Sequence, residues 1–442
     1  MSVNPTPHIQ LAMADRRAFI LAALATTATG CRISAPTVPS RAEQDVTSLP
    51  EPSARVVDRV ESDALDQCSP GSGVEAPRVS RQINQLGSIA WASLSPDGET
   101  LLVRNDRELA FVPVNGGDVR VVHAVGPQFG VFDADQSLTW SSDSRGVWFL
   151  AGETTRAGFV AGPLRCARRL RDGRIVHAPT LRGLPGRLDQ VTWVDGEGLG
   201  IAHLDTRGSY NRPQLPDPSP TLAVIEAGSG AVRSVLPLRE AIVLLWGEAR
   251  GAAYIQVLAT TRLRDGRVRA ILRCGLHGDR RNEGVGGVAL WTEGMPLRPL
   301  PSALGEHLSS VVFTPSGETL LVSHHLSASG VIFEHGPSPP PTPVRGAYAT
   351  LYDLNGDALW TLSGTANDIR GAGPLAVSPD GRRGLLALPE TCGRSEVFGL
   401  VDLRRGKVVR RLSCGSGNRT TSAGFDGDRP WFTSYQRLDV FD

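Results

Sequence analysis

The sequence predicts an all-β protein: a seven-bladed β-propeller of four-stranded antiparallel blades, its ring closed by an N-terminal strand in the last blade. Three observations predict it. A strand–turn–strand phrase at 89–103, I-A-W-A-S-L-S-P-D-G-E-T-L-L-V, returns six more times in weaker form. A second hairpin follows most copies, and units of about forty to fifty residues with four strands have the size of a propeller blade. The last copy offers only three strands, while an unpartnered candidate strand lies ahead of the first.

The turn explains itself residue by residue. Pro96 presets the dihedral of the second turn position, Asp97 bonds its own backbone, and Gly98 tolerates the positive φ that follows. Strand formers flank it: Ile89, Trp91 and Leu94 before, Leu101, Leu102 and Val103 after. The closest copies are 311–323 and 375–388. Looser ones are 138–151, turning at Asp143-Ser144-Arg145-Gly146, and 191–204, turning at Asp195-Gly196. The fourth blade is expected at 244–257, turning at Glu248-Ala249-Arg250-Gly251, and the seventh at 422–434, turning at Asp426-Gly427-Asp428. Second hairpins are expected at Asn115-Gly116-Gly117, Asp172-Gly173, Gly228-Ser229-Gly230, Asn355-Gly356 and Arg405-Gly406. Asn-Gly is the strongest short hairpin signal among these.

These repeats resemble the WD-type and TolB-like bacterial propeller repeats, whose S-P-D-G turn and following strand match 95–103 and 378–388 here. The resemblance covers 89–442, with four of the seven turns lacking Pro and with uneven spacing. It implies the fold and leaves function open, because such propellers serve many roles.

In chain order, 1–31 reads as an export signal. Arg16-Arg17 followed by Ala18-Phe19-Ile20-Leu21 resembles the twin-arginine motif, and an apolar core too short to span a membrane runs to Ala28. Ala28-Thr29-Gly30-Cys31 resembles a lipobox, in which Cys31 becomes the lipidated N-terminus; the plainer alternative is an ordinary signal peptide with a chance Cys. Residues 32–78, rich in Pro, Ser, Ala, Glu and Asp, read as a flexible tether. Residues 79–442 form the propeller. Its segment 79–86 is expected to pair with 438–441 and complete blade 7, removing an exposed edge.

Balanced charge, 46 Lys plus Arg against 45 Asp plus Glu, argues against nucleic acid as the partner. Lys407 is the only lysine, so the basic character is almost all Arg.

In a four-stranded blade the A–B and C–D turns share one edge, and the B–C and D–A connections share the other. Long B–C connections are expected at 152–163, 205–220, 260–287 and 326–347, all on one edge in blades 2 to 5. Long loops on a rigid scaffold are where binding commonly occurs; neutral insertion is the alternative. The blade-4 loop is basic, with Arg262, Arg264, Arg267, Arg269, Arg280 and Arg281, and could face lipid headgroups or an acidic partner. Asp135, Asp189, Glu240, Glu306 and Asp368 each precede an inner strand. They are candidates for a cation or cationic ligand at the channel mouth.

Among catalytic signatures, H-E-x-x-H, G-x-S-x-G and a phosphate-binding glycine loop do not occur. No dedicated metal site or cofactor is expected beyond that divalent cation. The cysteines after Cys31 fit no zinc spacing, and Cys392 with Cys414 is the first candidate disulfide in an exported chain. The expectation is therefore a monomeric, periplasmic or surface-facing envelope lipoprotein. It would bind a protein or envelope polymer without chemistry of its own. The alternative is a periplasmic propeller enzyme, lactonase-like or cyclase-like, with a metal or acid cluster at the channel mouth.

Overall fold

The computed structural model contains seven sheets that form a seven-bladed β-propeller. The chain divides into units 1–53 and 54–442, and every described residue lies in the second. The described residues are the strands and tight turns between Val74 and Phe441. Residues 1–73 fall outside them, as do 83–88, 124–137, 205–220, 277–284, 302–307, 325–343, 367–375, 414–419 and some shorter stretches.

Each blade runs A to D from the centre outward. Blade 1 is Trp91–Leu94, Thr100–Arg104, Glu108–Pro113 and Arg120–His123. Blade 2 is Thr139–Trp140, Gly146–Thr154, Val160–Leu170 and Ile175–His177. Blade 3 is Leu188–Trp193, Leu199–Leu204, Thr221–Glu226 and Ala231–Pro237. Blade 4 is Ala253–Arg262, Val268–Leu276, Val285–Thr292 and Arg298–Pro299. Blade 5 is Leu308–Phe313, Thr319–His324, Val344–Asp353 and Ala358–Ala366. Blade 6 is Ala376–Val377, Arg383–Cys392, Ser395–Asp402 and Lys407–Ser413.

Blade 7 takes Thr420–Asp426, Arg429–Ser434 and Arg437–Val440 from the C-terminus, and its outer strand from Val79–Gln82. That pairing is antiparallel, with Val79 opposite Val440 and Gln82 opposite Arg437. The ring therefore closes as the chain ends imply. Val74–Glu75, expected in the tether, adds a fifth strand parallel to the outer strand of blade 6, where Glu75 pairs with Arg410.

The core explains the ring. Seven hydrophobic clusters fill the seven interfaces between neighbouring blades. Alternation along a strand divides each blade between two neighbours. In strand B of blade 1, Leu102 faces blade 2 with Trp140 and Phe149, while Leu101 and Val103 face blade 7 with Trp431 and Leu438. Both sheet faces are buried, so the B strands read as unbroken apolar runs rather than alternating ones. Indole N–H groups add directed bonds: Trp140 to the Ser93 carbonyl, Trp148 to Gly196 and Trp360 to Leu403.

Blade 4 departs from the expected hairpin at 244–257. Leu238–Trp246 is helix α1, with Leu238 and Ile242 buried against blades 3 and 4 at a spacing of four. The A–B turn lies at 263–267 instead. There Gly266 has φ 85°, the Arg267 amide donates to Asp265, and the Leu263 amide donates to the Arg267 carbonyl. Asp-Gly supplies the positive φ a tight hairpin requires, whereas the expected turn 248–251, with its own Gly251, lies outside the described residues. Blade 2 is also reassigned, because its strands extend through 152–154 and 160–163 and leave only 155–159 as the B–C connection.

Candidate functional site

The two edges of the ring differ in construction. On the A–B/C–D edge, Ser or Thr, Asp or Ser, and a positive-φ residue repeat as a closed turn. Ser95 Oγ donates to Asp97 Oδ1 at 2.5 Å, Asp97 accepts the Glu99 amide, and Ser95 Oγ accepts the Thr100 amide. Ser141 with Asp143 and Ser378 with Asp380 repeat this, and Thr314 with Ser316 uses hydroxyls alone. Burial alone would raise the carboxyls of Asp97 and Asp143. The Ser hydroxyl, a turn amide and a guanidinium outweigh it and hold both below their ordinary range.

This edge also ties blades together. Arg171 donates to both oxygens of Asp97 at 3.1 and 2.9 Å, joining blade 2 to blade 1. Arg262 reaches Asp195 at 2.9 Å and Glu197 at 2.7 Å, joining blade 4 to blade 3. Arg269 donates to the Gly317 carbonyl at 2.7 Å, joining blade 4 to blade 5. Arg267 pairs with its own Asp265 at 2.7 Å, and Arg264 is exposed. The basic segment expected on the long-loop edge is thus a hairpin on the opposite edge. Arg262 and Arg269 serve there as inter-blade ties. Arg280 and Arg281 lie outside the described residues.

Between blades 1 and 2 this edge opens into a cavity of about 500 Å³ lined by Asp97, Asp143, Ser144, Arg145, Arg168, Leu170, Arg171, Asp172 and Arg174. Three carboxylates there meet three guanidiniums: Asp97 with Arg171, Asp143 with Arg168 at 3.1 Å, and Asp172 with Arg174 at 2.6 Å. Arg171 lies over the Trp140 ring at 5.4 Å and Arg168 over Trp148 at 6.0 Å. Ser144, at φ 57°, is the one non-glycine residue with positive φ among the described residues. Its sister positions carry glycine: Gly98, Gly317 and Gly381, with φ of 70–72°, and Gly266, with φ of 85°. The exception has a chemical cause, because Ser144 Oγ accepts the Asp97 amide of the neighbouring blade at 3.0 Å. A serine where the phrase calls for glycine was the sequence signal for this junction.

On the B–C/D–A edge, two B–C connections are long by strand ends, 205–220 in blade 3 and 325–343 in blade 5, with 277–284 in blade 4 between them. Of the acids expected at the channel mouth, Asp189 lies within inner strand A of blade 3, beside the bulge between Leu188 and Gln190. Glu240 is exposed in the first turn of helix α1, well ahead of inner strand Ala253–Arg262, so the spacing expected of it is corrected by the helix. Asp135, Glu306 and Asp368 lie outside the described residues. Among the described residues, no three of His, Cys, Asp and Glu group as metal ligands.

Buried His203 and half-buried His324 both have hydroxyl partners. His203 shares a 3.1 Å bond with Thr192, and burial lowers its pKa to about 4. His324 shares one of 3.1 Å with Thr350. Cys166 and Cys274 are buried free thiols, each pushed up to about 12 by burial. The backbone of Cys392 pairs with Ser395 at the end of a blade-6 hairpin, and Cys414 and Cys31 lie outside the described residues.

No family model matches the chain, and no curated protein does. Among solved structures, Kuenenia stuttgartiensis hydrazine synthase is similar, at 12% identity over 81% of this chain and 96% of that chain, with a TM-score of 0.46.

Proposed function

We propose that this chain is a lipid-anchored recognition propeller of the bacterial cell envelope, of WD or TolB-like kind. It binds a protein or envelope polymer through its B–C/D–A edge as a monomer and performs no chemistry of its own. The supporting observation is the asymmetry of the ring. One edge consists of tight turns spent on joining blades, and connections 205–220 and 325–343 leave the other edge from blades 3 and 5. Rigid strand ends that carry long connections on one side are how a scaffold presents a binding surface. The twin-arginine and lipobox resemblance at Arg16-Arg17 and Cys31 supplies the address.

Two measurements test this. Replacing 205–220 and 325–343 by short Gly-Asn-Gly links should leave the thermal transition in place and abolish capture of the envelope partner retained by the unaltered protein. Equal capture by both refutes the edge assignment. Cys31→Ser should lose fatty-acid labelling and move the protein from the membrane to the soluble fraction; unchanged labelling refutes the anchor.

A further inference from the structure

We infer that the cavity between blades 1 and 2 is a second binding site, for a small molecule bearing an oxyanion such as a carboxylate or phosphate group, with Arg145 as its recognition residue. It lies on the edge opposite the one assigned to the partner and stands independently of that assignment.

An Arg at this turn position has a partner within its own turn in the other blades that carry one. In blades 4 and 6 the equivalent residues, Arg267 and Arg382, fold back on the turn's own aspartate, Asp265 at 2.7 Å and Asp380 at 3.7 Å. In blades 1 and 5 the position is acidic, Glu99 and Glu318. In blade 2 the turn aspartate, Asp143, is taken by Arg168 from strand C. Arg145, an exposed residue, is therefore left without a carboxylate partner among the described residues, and it is one of the residues that line the cavity. The wall holds four guanidiniums and three carboxylates, and each carboxylate already pairs with one Arg. The lining residues alone are positive by one charge, and Arg120, which donates to the Asp172 backbone carbonyl, adds a further guanidinium beside them.

The surroundings suit such a ligand. The fixed pairs hold Arg171 and Arg168 against indole faces, so the wall is preorganised rather than collapsing on entry. Leu170 supplies an apolar patch, and buried Ser144 holds the junction of the two blades. A volume of about 500 Å³ suits a small organic anion. Guanidinium is the group that meets planar carboxylate or phosphate oxygens with paired donors.

The test is calorimetric titration of the purified protein with succinate and with inorganic phosphate at constant ionic strength. Saturable binding of at least one is expected, and which one binds identifies the group recognised. Arg145→Ala should weaken binding about tenfold, the effect of removing one charge-assisted hydrogen bond. Arg382→Ala, at the equivalent position with its own aspartate partner, should leave it unchanged. Absence of saturable binding of either anion, or equal effects of the two variants, overturns the site.

Discussion

Ser144 gives the sharpest test of how neighbouring blades are held. It keeps a left-handed backbone, φ 57°, where sister turns use glycine, and in return its hydroxyl accepts the Asp97 amide of blade 1. Two substitutions separate these effects. Ser144→Ala keeps the left-handed strain and loses the bond, and a part-buried hydrogen bond is worth about 1 kcal/mol net. Ser144→Gly loses the same bond but relieves a left-handed cost of about 1 kcal/mol. The alanine variant should therefore fall about 1 kcal/mol below the natural protein, with the glycine variant close to it, an order that ignores hydrophobicity and side-chain volume. Thermal or denaturant unfolding reads the difference, about 1 °C per kcal/mol for a protein of this size. If alanine proves as stable as glycine, the backbone account of this turn is wrong. If glycine falls as far as alanine, the strain contributes nothing and the bond is the whole effect.

Two further outcomes follow from the same geometry. A Cβ on Gly196 would sit 2.6 Å from both the Ser142 amide and the Trp140 carbonyl, at the carbonyl that receives Ser142 and Trp148 N–H donors from blade 2. Gly196→Ala should cost about 1–3 kcal/mol in unfolding, as overpacking does. Gly228→Ala, whose nearest neighbour is 3.9 Å away, should be near neutral, and equal effects would remove the blade 2–3 contact from the argument. For pH, the folded pKa of His203 is about 4 against an ordinary value of 6.5, so the unfolded chain binds its proton first. Stability is full above pH 6.5 and should decline by up to about 3 kcal/mol as pH falls from 6.5 to 4. Unfolding midpoints followed across that window should show the decline, and His203→Phe should flatten it. A decline that persists unchanged in the variant assigns it elsewhere.

Local chemistry carried most of the fold. Asp97-Gly98, Asn115-Gly116 and Asn355-Gly356 mark hairpins because their backbone demands are met within four residues, and the missing fourth strand of blade 7 pointed by subtraction to 79–86, of which Val79–Gln82 pairs. The fourth blade was misread where two local signals competed. A run of arginines around Asp265-Gly266 read as a basic loop on the long-connection edge, although Arg262 and Arg269 are spent on carboxylates and a carbonyl of other blades. Residues 238–246 carry helical spacing that an expectation of uniform blades overrode.

Hairpin chemistry and simple counting were enough to number the blades, to place their turns outside blade 4 and to pair the N-terminal strand with blade 7, because each is a property of one hairpin or of a tally of strands. The folded arrangement was needed to show which edge the basic residues occupy and that Arg145 lines a cavity whose carboxylates are each paired with another Arg. Those depend on what lies across the gap between blades. Asp143 stands two residues from Arg145, yet Arg168, brought in by strand C, takes it instead.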